Sequence, residues 1–182
     1  MRNIVIFSSR SGSDAMFVSK YISRVGLPYK IKFFVTNNSN SSLISYSQLY
    51  NIDIKVMPSK PEEEDYRKLN LEREDIILLM GYLRIIPEWM CKEYNIYNLH
   101  PGNIQNYPEL KGIDPQKKAI DLRLKDTGCS IHKVSKEVDE GEIVLSSIVD
   151  ISSEETEKSL VNKLSLDAKY LWVKFLENLK GI

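Results

Sequence analysis

Asn98 and His100 stand two residues apart in the run Asn98-Leu99-His100-Pro101-Gly102, at the end of the apolar segment 96–99. Residues two apart on an extended strand point to the same side, so an amide donor and a titrating imidazole converge on one substrate atom if the strand persists to His100. In the alternative, His100 caps a turn before Pro101 and Asn98 satisfies backbone groups. A second stretch runs from Gly128 to Val134 and on through Val138-Asp139-Glu140-Gly141-Glu142-Ile143. Here Asp139 is the candidate partner for His100. A carboxylate beside an imidazole favours the protonated ring, which suits a histidine that donates or shuttles a proton. Without that partnership Asp139 is a plain turn residue. His132 lies within an apolar strand, has no second histidine or acidic ligand at metal spacing, and reads as structural, so no metal is assigned.

A third stretch, Ser8-Ser9-Arg10-Ser11-Gly12-Ser13-Asp14, follows the apolar run 4–7. Between a strand and a helix, such a loop offers helix N-terminal amides and a glycine to an approaching phosphate. It lacks the three-glycine dinucleotide fingerprint and the lysine of a P-loop, so nicotinamide cofactors and ATP are not supported. Read blandly, it is a strand-to-helix turn.

These stretches need elements to hold them. The spacing predicts strands at 4–7, 31–35, 52–57, 76–80 and 96–99. Helices are predicted at 43–50, 61–69, 87–94 and 115–123, together with one that starts after an N-cap at Asp14 and runs to Gly26 with Phe17, Val18, Tyr21, Ile22 and Val25 on its apolar face. Alternating strands and helices mean a parallel sheet. After Thr127 the pattern changes to two strand-like runs, 129–134 and 142–151, an antiparallel pair at the sheet edge. Ser152-x-x-Glu155 reads as a capping box opening a long last helix with Leu160, Leu164, Ala168, Leu171, Phe175 and Leu179 on one stripe.

The 182 residues suit one domain over 1–182. Lysine plus arginine number 25 and aspartate plus glutamate 25, so the chain lacks the basic excess of a nucleic-acid binder. Cys91 and Cys129 belong to no Cys-x-x-Cys pair and read as buried or inert thiols. The N-terminal apolar run is too short for a signal peptide, and no stretch approaches a membrane span, so the expected location is cytoplasmic, with no membrane partner.

Asn-x-His-Pro at a strand end, followed some forty residues later by His-x-Val-x-x-x-x-Asp-x-Gly, resembles the folate-dependent formyltransferase superfamily. Leu79–Ile86 is similar to that superfamily's folate-contacting strand and loop, and Ser11-Gly12-Ser13-Asp14 to the phosphate loop of its glycinamide ribonucleotide branch. The resemblance covers nearly the whole chain. It implies a Rossmann-like α/β fold: an open, mostly parallel sheet with an antiparallel edge and helices on both faces. It also implies transfer of a formyl group from the co-substrate 10-formyltetrahydrofolate to the amine of glycinamide ribonucleotide, through a tetrahedral intermediate with negative charge on oxygen. Asn98 and protonated His100 would stabilise that oxygen, and Asp139 would hold His100 charged. Leu83, Arg84, Ile85 and Ile86, with Lys136, Glu137, Val138, Glu140 and Gly141 of the turn around Asp139, would hold the folate. Ser11, Gly12, Ser13, Asp14, Pro101 and Gly102 would meet the acceptor. A monomer or weak homodimer is expected, with small-molecule substrates as its partners.

Departures from the family pattern fall on the acceptor side. Asp14 stands where the family usually has Asn, Gly102-Asn103-Ile104-Gln105 where it has Ser-Leu-Leu-Pro, and Leu166 and Asp167 near where it has a glutamate. The competing readings are formylation of another amine, such as a nucleotide-linked amino sugar, hydrolysis of the formyl donor, and a folate-binding relative without turnover.

Overall fold

Four apolar residues in a row leave a strand no polar face, and 4–7 are accordingly buried on both sides. In the computed structural model, which describes residues 1–179, they form the centre of β1 (Arg2–Ser8). The chain divides into two compact units, Met1–Tyr97 and Asn98–Ile182.

In the first unit β1 is followed by α1 (Ser13–Val25), β2 (Tyr29–Thr36), α2 (Ser42–Tyr50), β3 (Asp53–Val56), α3 (Glu63–Arg67), β4 (Ile76–Leu79) and α4 (Glu88–Glu93). The strand order is β3-β2-β1-β4, and every pair is parallel. Winding therefore reverses between β1 and β4. In open parallel sheets a ligand crevice forms outside the carboxyl ends of the strands at such a switch point. The loops that leave β1 and β4 there are 9–12 and 80–86.

β5 (Asn95–His100) carries the chain into the second unit, so the extended geometry does reach His100. A single 3-10 turn at Pro108–Leu110 and α5 (Pro115–Asp121) follow. Then come β6 (Asp126–Thr127), β7 (Ser130–Lys133), β8 (Ile143–Ser146), β9 (Val149–Asp150) and α6 (Glu157–Asn178). β7 and β8 pair antiparallel, as the spacing predicts. All six residues of the expected α6 stripe are buried, joined by Trp172 and Leu176, and the helix packs on β7 and β8.

Several expectations need correction. The N-cap of α1 is Gly12, left-handed at φ 82°, so Asp14 is the second residue inside the helix rather than its cap. The buried face of α1 is Ala15, Val18, Ser19 and Ile22, while Phe17 and Val25 are exposed. Segment 142–151 is two strands, because β9 leaves β8 at Ser147-Ile148 and pairs with β6 in a separate two-stranded sheet. The last helix is capped by Thr156, whose side chain accepts from the Ser159 amide while Ser159 returns a bond to the Thr156 amide. Ser152 and Glu155 close the preceding turn. Cys91 is only partly buried, whereas Cys129 is fully so, and neither forms a disulfide. No helix among the described residues is long and apolar enough to cross a membrane.

Candidate active site

In the second unit, Asn98 and His100 from β5, His132 from β7 and Asp139 from the turn before β8 come together. His100 Nδ1 lies 3.1 Å from Asp139 Oδ2, with both side chains buried. His100 Nε2 lies 2.9 Å from the Leu110 carbonyl. Both neighbours of the ring are acceptors, so the arrangement is satisfied with a hydrogen on each nitrogen, the charged imidazolium. The other carboxylate oxygen, Asp139 Oδ1, is 3.3 Å from His132 Nε2, which also stands 3.1 Å from Asn98 Nδ2. Burial alone would push the Asp139 carboxyl upward. Its hydrogen bonds to His100 and His132, the charge of His100 and the Gly112 amide at 3.0 Å outweigh that and hold it well below the usual carboxylate range.

Local backbone explains how these groups are held. Asp139 adopts φ 56°, a left-handed conformation that few non-glycine residues take and that costs energy unless the surroundings impose it. Those surroundings are the two imidazoles and the Gly112 amide. Two residues on, Gly141 admits no side chain, because a Cβ there would sit 1.6 Å from the Lys133 carbonyl. Beside His100, a Cβ on Gly102 would stand 3.1 Å from the ring's Cδ2 and 3.2 Å from Pro115 Cβ, so any larger residue crowds the imidazole. The Pro101 and Gly102 carbonyls are engaged by Gln116 and Ser130. The rest of the turn, Lys136, Glu137, Val138 and Glu140, is exposed; Ser135 donates to the Glu137 carbonyl and Lys111 pairs with Glu140 at 2.7 Å. On α6, Leu166 is exposed and the Asp167 carboxylate accepts from Ser147.

In the first unit the other expected site residues lie on the two switch-point loops and on the first turn of α1. The Ser9 amide donates to the Gly81 carbonyl at 3.1 Å, and Ser9 Oγ accepts from the Leu83 amide at 2.8 Å. Ser41 Oγ donates to the Arg10 carbonyl, and a Cβ on Gly12 would strike Leu43 at 2.8 Å, so the turn into α1 requires glycine for both room and φ. Ser11 and Ser13 are exposed, and Ser13 Oγ donates to Asp14. Loop 83–86 rests on a buried pair of phenols, Tyr66 and Tyr82, whose oxygens are 3.0 Å apart, and Tyr66 also reaches the Ile85 carbonyl. Burial, then the bond to Tyr66, raises the Tyr82 hydroxyl far above the ordinary phenol range, so it stays neutral and bonded. Arg84 donates to the Ser59 and Leu83 carbonyls, Ile86 is buried, and Leu83 and Ile85 project to solvent.

His100 and Asp139 thus pair directly, and Asn98 joins them through His132, a residue that the sequence alone presents as structural. A histidine in an otherwise apolar strand, seven residues before Asp139, was the available signal. For the Leu110 carbonyl, the Gly112 amide and the Tyr66–Tyr82 pair there was none, since each depends on where the backbone turns.

Comparisons with known proteins give the family and the fold. The family described as Formyl transferase matches residues 2–176. The chain is 32% identical over 100 residues, 54% of its length, to the trifunctional purine biosynthetic protein adenosine-3 of Drosophila melanogaster, of which it covers 7%. It is 23% identical over 192 residues, 98% of its length, to the chloroplastic phosphoribosylglycinamide formyltransferase of Vigna unguiculata, of which it covers 61%. The chain therefore spans less than two thirds of these curated relatives. Among solved structures, glycinamide ribonucleotide transformylase 1 from Geobacillus kaustophilus superposes with a TM-score of 0.87 at 24% identity, covering 98% of each chain. Phosphoribosylglycinamide formyltransferase from Anaplasma phagocytophilum gives 0.83 at 25%, over 93% of this chain and 82% of that one.

Proposed function

Because the chain belongs to the formyl transferase family, we propose that it transfers a formyl group from 10-formyltetrahydrofolate to the amine of glycinamide ribonucleotide. The observation that carries this reading is the buried His100–Asp139 pair, 3.1 Å apart, in one cluster with the Asn98 amide. The relatives named for glycinamide ribonucleotide supply the acceptor.

The folate supplies the transferable one-carbon unit and the leaving nitrogen. Leu83 and Ile85 fit a flat heterocycle: they offer exposed apolar surface on a loop whose backbone is pinned by Ser9, Tyr66 and Arg84. With Arg84 and Ile86, and with Lys136, Glu137, Val138, Glu140 and Gly141, they are the residues that would hold it. On the acceptor side, Ser11, Gly12, Ser13 and Asp14 at the start of α1 take the phosphate end, and Pro101 and Gly102 line the reacting end.

Asn98 and His100 donate to the formyl oxygen as negative charge develops on it. Donors held in place stabilise that charge, and losing one typically costs about 3 kcal/mol of barrier. Asp139 keeps the His100 ring charged and oriented; as the bond from the formyl carbon to the acceptor amine forms and its bond to the folate nitrogen breaks, the imidazolium proton passes to the leaving folate nitrogen and the proton shed by the acceptor amine restores the ring. Tetrahydrofolate release, measured with and without glycinamide ribonucleotide, tests the reading. Release that requires the ribonucleotide and disappears in His100→Ala is expected. Release with a nucleotide-linked amino sugar in its place overturns the acceptor, and release without any amine overturns the transfer.

A further inference from the structure

His132 is 2% exposed on a strand whose neighbouring residue Ile131 is fully buried, and a structural histidine there would need only to satisfy its own two nitrogens. Its bonds go elsewhere. Nδ1 lies 3.2 Å from the Lys133 carbonyl, which only accepts, so Nδ1 carries a hydrogen. The same carbonyl is packed against Gly141, at a distance that excludes any side chain, which pins the turn bearing Asp139 to the strand bearing His132. Nε2 is left to face Asn98 Nδ2 at 3.1 Å and Asp139 Oδ1 at 3.3 Å. Among the described residues it is the side-chain atom that stands within bonding distance of both the amide and the carboxylate. When Nε2 is bare it accepts from the Asn98 amide. When it carries a proton it donates to Asp139, and Asn98 must present its oxygen. In either state the ring dictates which way the Asn98 amide faces.

We propose that His132 is a positioning residue, which sets the orientation of the Asn98 amide and couples it to the Asp139–His100 pair. The inference rests on the reading of Asn98 as an oxyanion donor. It goes further in assigning a role to a histidine that touches no reacting atom. A donor misplaced by about 1 Å costs up to about a hundredfold in rate, so the effect belongs in kcat rather than in substrate affinity.

A double-mutant cycle tests it, with turnover measured for wild type, Asn98→Ala, His132→Leu and the double variant. The expected results are a ten- to hundredfold loss of kcat in His132→Leu, KM for both substrates little changed, and no further loss when Asn98 is already alanine. His132→Gln, whose amide can meet both partners, restores most of kcat. Additive losses, a rise in KM in place of a fall in kcat, or a His132→Gln variant as slow as His132→Leu each overturn the proposal. A second measurement needs no His132 variant and no turnover. The Asn98 side-chain NH2 resonances, identified by their absence in Asn98→Ala, should exchange slowly with solvent in the wild-type protein, and free exchange overturns the coupling. If Asn98→Ala leaves kcat unchanged, the oxyanion reading of Asn98 fails on its own, and the exchange experiment still decides whether His132 holds the amide.

Discussion

Around Asp139 the groups that meet are side chains, three of them buried and one half-buried: two imidazoles and a carboxylate, with the Asn98 amide at their edge, linked by contacts of 3.3 Å or less. Around Ser9 and Gly81 the groups that meet are mostly backbone, and the side chains beyond them, Leu83 and Ile85, are 56% and 76% exposed. The contrast separates two tasks. Stabilising charge at one atom calls for side chains in a low-dielectric setting, where each bond is strengthened and each missing partner is costly. Presenting a surface to a flat or phosphorylated ligand calls for a loop of fixed shape, and its exposed residues carry little of the folding energy. Substitutions in the first region should therefore damage rate and stability together, and those in the second should act on binding.

The largest effect falls on His100→Ala, for which kcat drops about a hundred- to a thousandfold with the circular dichroism spectrum retained; a loss under tenfold would erase the distinction between the regions. Next is Asp139→Asn. Asp139 is held below its ordinary value of about 3.9 in the folded protein, so the unfolded chain takes up the proton first. Its contribution is complete above that ordinary value and is lost as pH falls through the lower folded one. Urea unfolding should show wild type ahead by about 2 kcal/mol at neutral pH, with the gap narrowing below pH ~4; a gap independent of pH contradicts the assignment. Gly141→Ala forces a Cβ onto the Lys133 carbonyl and should cost about 1–3 kcal/mol, seen as a Tm lower by roughly 2–10 °C. Tyr66→Phe removes the hydroxyl under loop 83–86, at about 1 kcal/mol, and raises KM for the formyl donor while sparing kcat. The smallest effect is that of Leu83→Ser, within about 0.5 kcal/mol in stability, with any change confined to KM for the donor.

Much of this was legible in the residues, for reasons that differ by region. The run 4–7 and the α6 stripe announce themselves because burial on two faces or one stripe requires an unbroken or periodic apolar pattern. Asn98 and His100 were readable because a strand's period of two is local geometry. Asp139 as their partner came from a motif spacing, since nothing local tells a turn which strand end it faces. What the residues hid is long-range or carried by backbone. Gly12 in the left-handed region displaced the cap expected at Asp14, and Thr156 with Ser159 displaced the box expected at Ser152, because either serine or threonine could cap and only chain direction decides. The split of 142–151 into β8 and β9 depends on a partner strand of two residues, too short to carry a pattern.

The bond between the Leu110 carbonyl and His100 Nε2 has one more consequence. A substrate oxygen that is to receive that hydrogen must take the place of a peptide carbonyl already receiving it, so segment 101–114 acts as an internal competitor for the ring. If the bond is worth a net ~1 kcal/mol, the ring is free about one-sixth of the time, and anything that binds through Nε2 does so about sixfold more weakly than its contacts alone would give. The same competition helps the ring shed its product, because the carbonyl is waiting to return.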